Sequence, residues 1–324
     1  MRTRILIGLL LCLASVEAFP QKPTTTYPDK SIRVLVGFAA GGPTDVIARG
    51  LADYTSRRLN QPVIVENKPG ANTIIAADTV AASAPDGYTL LAAATNHTMI
   101  PALYGDRIKF DAVKSFAPIC TVAVSPTVLV VGPAFKVATL SEFLADVRAN
   151  PGSRSFATPG TGSGGHFATE AFASLAGLKM NHIPYKGAAP AMNDLMAGQV
   201  DLSFATLASV LPQITSGKLT ALAVASESRS PFLPDVPTFE ESGIHGYSAD
   251  AWYGVLAPAK TPEDVQEKLR AVLEGYAIEP ETVERLASMG LQPQSICGAA
   301  FTRLLNHEVE LNLKLARELD LKIE

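Results

Sequence analysis

The sequence predicts an α/β protein built as two similar halves that share a cleft. Three observations carry this reading. Short β-branched runs alternate with helical stretches from Val34 to Ala94 and again from Leu140 to Ala225, and such alternation implies parallel sheets covered by helices on both faces. A glycine-rich passage from strand to helix occurs once in each half, at Gly41-Gly42 and across Gly160 to Gly165. Finally, the β-rich stretch Phe116 to Val131 is too long for one ordinary strand and is split by Ser125-Pro126, while Ser248 to Leu256 reads as a strand that crosses back. Two crossings between two halves make a cleft with a hinge. The predicted first domain is residues 27–124 together with 248–324, and the second is 125–247.

Taken in order, the chain begins with Arg2 and Arg4 ahead of the apolar run Ile5 to Ala14, then Ser15-Val16-Glu17-Ala18. A charged start, a short apolar run and a small-residue end predict a signal peptide over 1–18, cleaved near Ala18, and therefore an exported, periplasmic protein. The run is shorter than the ~20 residues that span a bilayer, and no later segment is long enough. Leu11 ahead of Cys12 is not the small residue that a lipid-attachment site uses. The chain has 324 residues and a net charge of −4; its length suits two domains, and its mild acidity excludes a nucleic-acid partner. Beyond the leader only Cys120 and Cys297 remain. They form either one disulfide or two buried free thiols.

Val34 to Leu59 organises the first half. The strand breaks at Gly41 and Gly42, whose backbones reach angles closed to other residues; Pro43 suits a first helical turn, and Thr44 or Asp45 supplies a capping oxygen. Amides at a helix start lack partners and sit at the positive end of the dipole, so the loop is either an anion site or simply a good turn. Pro62 to Asn67 is the next strand, Thr73 to Ala82 a helix, and Tyr88 to Ala94 a strand introduced by the turn Pro85-Asp86-Gly87. Thr95-Asn96-His97-Thr98 follows that strand's carboxyl end, where open α/β sheets hold ligands, and His97 is a ligand group or a solvated loop residue.

In the second half Leu140 to Ala149 is helical, Ser155 to Thr158 a strand, His166 to Leu175 a helix, His182 to Tyr185 a strand, Ala188 to Ala197 a helix and Asp201 to Ala205 a strand. Leu207 to Ser216 and Leu219 to Ala225 add a helix and a strand, and Glu227 to Gly243 is a loop. Helices at Pro262 to Tyr276, Glu281 to Met289 and Ala299 to Leu319 close the chain.

Thr158 to His166 matches G-x-G-x-x-G at Gly160, Gly162 and Gly165, but the acidic residue that would bind ribose hydroxyls is replaced by Tyr185 and Lys186, so no nucleotide cofactor is expected. Ser163 and His166 straddle a helix start and are badly spaced for a nucleophile and base, with no G-x-S-x-G elbow. The histidines at 97, 166, 182, 245 and 307 show no paired spacing that would bind zinc. Nothing in the chain demands catalysis, a metal or a cofactor.

Several motifs in order give a more specific reading. Tyr27-Pro28-Asp29-Lys30-Ser31-Ile32-Arg33 running into Gly41-Gly42-Pro43-Thr44-Asp45, then Val65-Glu66-Asn67-Lys68-Pro69-Gly70-Ala71 and Pro85-Asp86-Gly87-Tyr88-Thr89-Leu90, resemble the Bug-type (TctC-like) periplasmic solute-binding family. These are the receptors of tripartite tricarboxylate transporters. Pro184-Tyr185-Lys186-Gly187 with Ala189-Pro190, Gly198-Gln199-Val200-Asp201 and Leu233-Pro234-Asp235-Val236-Pro237-Thr238 look like the family's later motifs. The resemblance covers essentially the whole exported chain. It implies a type II periplasmic binding protein fold, with a small carboxylate held between the domains by backbone amides.

Carried over residue by residue, that implication puts Phe38, Ala39, Ala40, Gly41, Gly42 and Thr44, with Thr95, Asn96 and His97, on the first wall of the cleft. Thr158, Gly160, Thr161, Ser163, Gly164 and His166, with Tyr185, Lys186, Gly187, Phe204, Ala205 and Thr206, form the second. Asp45 is either a ligand contact or a helix cap, and Tyr185 and Lys186 have a rival role in strand-end packing and a surface ion pair. Phe38-Ala39-Ala40 stands where the family often has proline, and Phe204-Ala205-Thr206 lacks the acidic residue or Asn that often follows the aromatic, so the ligand's distal group does not carry over. The expected protein is a monomeric, cofactor-free receptor for a mono-, di- or tricarboxylate, an acidic amino acid or an aromatic acid. Its partners would be transporter membrane subunits or a sensor ectodomain. The alternative is a secreted hydrolase-like enzyme using the same cleft.

Overall fold

The computed structural model describes residues 27–318; the leader assigned above lies outside them. The chain builds two mixed sheets in the element order β1 (Ile32–Val36), α1 (Pro43–Leu59), β2 (Val63–Asn67), α2 (Ile74–Ala81), β3 (Thr89–Ala94), α3 (Asn96–Tyr104) and β4 (Phe116–Ser125). After Pro126 come β5 (Thr127–Val131), α4 (Leu140–Ala149), β6 (Ser155–Thr158), α5 (Gly164–Ala176), β7 (Asn181–Pro184), α6 (Ala188–Met196), β8 (Leu202–Thr206), α7 (Leu207–Thr215) and β9 (Thr220–Val224). The chain returns through β10 (Ala251–Pro258), α8 (Glu263–Ile278), α9 (Pro280–Ser288), β11 (Gln292–Pro293) and α10 (Gly298–Glu318).

The first sheet has the order β11-β4-β10-β3-β1-β2 and the second β7-β6-β8-β5-β9. In each, the strands joined through helices, β1 to β3 and β6 to β8, run parallel. The strand that arrives from the other sheet runs against them: β10 is antiparallel to β3 and β4, and β5 to β8 and β9. The expected all-parallel sheets are corrected in this respect. The registers give the reason, since Ala251 at the start of β10 faces Ser125 at the end of β4, and Thr127 at the start of β5 faces Thr206 at the end of β8. Both arriving strands enter at the carboxyl ends of the parallel strands and can only run back. Those carboxyl ends therefore face the crossings, and the carboxyl ends of parallel strands are where open α/β sheets hold ligands.

Each sheet buries its own core. Ile32, Val34 and Val36 pack with Leu51, Tyr54 and Leu269 on one side of the first sheet, while Leu35, Leu91 and Phe116 meet Ile100, Trp252 and Phe301 on the other. In the second, Phe143, Phe156, Phe172, Phe204, Phe239 and Tyr247 form an aromatic cluster. Local signals set the helix starts: Pro43 occupies the first turn of α1, and the Thr139 side chain accepts the Glu142 amide at α4 while Ala138 donates to the Glu142 carboxylate. Two elements depart from expectation. The segment read as the loop Thr95 to Thr98 is the start of α3, and α2 is preceded by a 3-10 turn at Ala71–Thr73. Cys120 and Cys297 are joined in a disulfide that ties β4 to the segment before α10.

Candidate functional site

A cavity of about 230 Å³ lies between the sheets at their carboxyl ends. Its first wall comes from the β1–α1 loop, through Phe38, Ala39, Ala40, Gly42, Pro43 and Thr44, and from Ala94, Thr95 and Asn96 where β3 passes into α3. Its second wall comes from the β6–α5 loop, through Pro159, Ser163, Gly164 and Gly165, from Lys186 to Pro190 with Met192, and from Ser203 to Thr206 with Ser209. Ala251 and Tyr253 of the returning strand β10 complete it.

Helix starts dominate the polar character. At α1, Gly42 is the cap residue in extended backbone and Pro43 follows. At α5, the Ser163 hydroxyl accepts the His166 amide at 3.3 Å, leaving Gly164 and Gly165 as first-turn residues on the cavity. Gly165 admits no side chain, because a Cβ there would lie 2.5 Å from the Phe204 carbonyl oxygen. At α6, Gly187 is the cap and Ala188 and Ala189 follow. First-turn amides have no partner inside their helix and sit at the positive end of its dipole. The start of α7 is different: Leu207 donates to the Pro126 carbonyl and Ala208 to the Ser125 hydroxyl, so its amides are consumed by the crossing. Lys186, exposed at the rim, is the one charged side chain on the lining among the described residues. Burial pushes the Tyr253 phenol up to about 12, only partly opposed by the Thr206 hydroxyl, so it stays a neutral donor. The cavity offers amides and hydroxyls inside and one ammonium outside.

Behind this lining stand several residues expected on it. Asp45 is buried and turned away: its carboxylate accepts the Gly41 amide at 2.9 Å, Nε and Nη2 of Arg49 at 3.0 and 2.9 Å, and the Asn67 amide at 2.8 Å. Burial works against its charge, but the bonds from Arg49, Gly41 and Asn67 outweigh it and hold the carboxyl below its ordinary range. It thus braces the loop that carries the wall, and Gly41 is braced with it. His97 lies in the core of the first half, its Nε2 2.7 Å from the Ala112 carbonyl and its ring between Phe110 and Phe116, and burial lowers it to about 4.

In the second half His166 accepts the Gly162 amide at Nδ1 and stacks on His182 at 4.1 Å; His182 meets the Thr158 hydroxyl at 2.7 Å, and burial lowers both rings to about 4. The same hydroxyl reaches the Gly160 carbonyl. Tyr185 donates to Asp194 at 2.7 Å and packs beneath α6. Gly41, Asp45, His97, Thr158, Gly160, Thr161, His166 and Tyr185 are therefore outside the lining, whereas Phe38, Ala39, Ala40, Gly42, Thr44, Thr95, Asn96, Ser163, Gly164, Lys186, Gly187, Phe204, Ala205 and Thr206 are on it.

Sequence reasoning missed Tyr253, Met192, Ser203 and Ser209. Tyr253 had a signal. A strand that crosses between two halves runs along the floor of the cleft, and its inward residues must face what the cleft holds.

Residues 47–321 match the model of the tripartite tricarboxylate transporter family receptor. Protein BugT of Bordetella pertussis is 36% identical over 294 residues, covering 90% of each chain. Among solved structures, the periplasmic binding protein BugD is 35% identical with a TM-score of 0.86, covering 92% of this chain and all of its own. R. palustris Rpa4515 with adipate is 28% identical with a TM-score of 0.87, again covering 92% of this chain and all of its own. MatC of Rhodopseudomonas palustris with bound malate is 30% identical with a TM-score of 0.83, covering 89% of this chain and 99% of its own. With the two-sheet type II fold and the cavity between its sheets, these likenesses make the chain a member of the tripartite tricarboxylate transporter receptor family, also called Bug or TctC.

Proposed function

We propose that this protein is a periplasmic receptor that captures a small carboxylate between its two sheets. It would deliver the ligand to the membrane subunits of a tripartite transporter or to a sensor ectodomain. One observation carries the reading: helix starts from both halves, α1 on one side and α5 and α6 on the other, meet at a single cavity with only one charged side chain on its rim. Neutral amides at helix starts hold an anion without a buried cation. The relatives bound to adipate and to malate support the same ligand class.

The geometry favours binding over turnover. Ser163 Oγ takes the backbone amide of His166, that histidine's Nδ1 takes the amide of Gly162, and its Nε2 lies 3.8 Å from the Glu170 carboxylate, so neither ring nitrogen is arranged to activate the hydroxyl. Mass spectrometry of ligand retained by protein purified under native conditions tests the proposal. A co-purifying acid of low mass, recovered unchanged, is expected; a neutral sugar or amide in its place would overturn the ligand class.

A further inference from the structure

The turn before α2 is an unusual piece of backbone. Ala71, Asn72 and Thr73 all have positive φ, at 44°, 49° and 74°, in the left-handed region that non-glycine residues seldom occupy in succession. The turn is clamped from below, where Gly37 passes so close that a Cβ on it would lie 2.4 Å from Thr73 Cβ. From the cavity side, the Asn96 amide reaches the Thr73 hydroxyl at 3.0 Å, the Asn72 carbonyl at 3.3 Å and Asn72 Oδ1 at 3.4 Å. Asn96 itself lines the cavity.

What this conformation achieves is a reach across the cleft. Asn72 Nδ2 donates to the Gly162 carbonyl, in the glycine loop of the opposite half, at 2.7 Å. The far side is held just as firmly, because the Gly162 amide donates to His166 Nδ1 at 3.1 Å. The buried Phe167 of α5 also packs against Met99 and Leu103 of α3, and Gly290 lies close against Leu207 and Leu211 of α7, so this bond is one of several contacts between the halves.

We propose that Asn72 is a positioning residue for ligand capture: it clasps the two halves together through Gly162 and reports on the cavity through Asn96. A ligand that engages Asn96 on one wall and the Gly164 amide on the other orders both partners of the clasp. Closure is then favoured to the extent that the ligand touches both halves. The clasp rests on the receptor reading only for the identity of what it encloses.

The test measures closure without any ligand. Spin labels on Ala84→Cys and Ser174→Cys, exposed positions in opposite halves, report the cleft by double electron–electron resonance in the full exported protein with its native disulfide. Asn72→Gly keeps the left-handed backbone and removes the donor. It should raise the open-to-closed ratio about two- to tenfold, the range for one neutral hydrogen bond. Asn72→Asp keeps the shape but sets a carboxylate against the Gly162 carbonyl, and should open the cleft further.

Circular dichroism on the same samples reads folding. A wild-type distance distribution in both variants, or loss of fold in both, would overturn the proposal. With adipate as probe, each variant should dissociate faster by the factor its own ligand-free ratio rises, at an unchanged association rate, a split that a scaffolding role would not produce. If the wild type bound no carboxylate, the ligand class alone would fall, and the ligand-free distances would still decide the clasp.

Discussion

The Asp45 carboxylate accepts the Gly41 amide at 2.9 Å from three residues inside the helix that Gly42 caps. A capping box would hold the Gly42 amide; here the first-turn carboxylate reaches one residue further back and secures the loop ahead of the cap. Arg49, one turn on, and Asn67, from the end of β2, fix the same carboxylate. The loop bearing Phe38 to Thr44 is thus held from behind, and the cavity wall is preorganised.

Replacing Asp45 should therefore act on stability first and on binding through the wall. Asp45→Ala leaves Gly41 without its acceptor and Asn67 with the Phe38 carbonyl alone, and should cost about 1.5–3 kcal/mol, the range for hydrogen bonds to a charged group. Because the folded carboxyl lies below its ordinary range, this stability is present above the ordinary carboxylate pKa and lost as pH falls through the folded value. Urea unfolding at neutral pH and at pH 3 checks both parts: the variant should be weaker than wild type at neutral pH, and the gap should narrow in acid.

Gly165 is a sharper probe of the opposite wall. A Cβ there would meet the Phe204 carbonyl oxygen at 2.5 Å, so Gly165→Ala must push the start of α5 away from β8. Overpacking of this kind costs about 1–3 kcal/mol, and the displaced amides should weaken ligand binding more than tenfold. Calorimetric titration beside thermal melting separates the two effects.

The stacked pair of buried His166 and half-buried His182, together with buried His97, is lowered to about 4. In the unfolded chain each titrates near its ordinary value of about 6.5. Between those values the unfolded state binds more protons, so stability is full above pH 6.5 and falls as the pH drops towards 4. The slope is at most about 1.4 kcal/mol per pH unit for each histidine. Melting temperatures from pH 7 to pH 4 check this, and His97→Leu, which removes one titrating ring from the apolar site between Phe110 and Phe116, should flatten the curve.

The disulfide between Cys120 and Cys297 spans 177 residues of sequence and lies away from the cavity. Cys120→Ala with Cys297→Ala should cost about 2–4 kcal/mol of stability and leave ligand affinity unchanged. Denaturant midpoints of the variant, and of wild type with and without reductant, measure it.

Most of the alternating elements were legible in the sequence because each carries its own punctuation: Pro43 opens α1, the glycines from 160 to 165 lead into α5, and Ser125-Pro126 separates β4 from β5. What was not legible depended on direction and depth. Nothing local distinguishes a strand that arrives at the cleft end of a sheet from one that arrives through a helix, so β5 and β10 could not be read as antiparallel. The same holds within the loops. Gly164 and His166 are two residues apart, yet one presents an amide to the cavity while the other turns its ring onto His182. His97 shared its neighbours' place after β3, but one step along α3 took it into the core. Glycine and hydroxyl content marked the loops that form the site; which side chains face inward was settled by packing that the loops themselves do not encode.

If neutral amides at opposed helix starts select a carboxylate, calorimetry on refolded, ligand-free protein will separate matched pairs, adipate from adipamide and malate from malamide. Binding that requires the carboxylate, with the diamide of the preferred acid weaker by a hundredfold or more, is the expected result. Equal affinity for the acid and its amide, or saturable binding of a neutral sugar with no response to any acid, would contradict it.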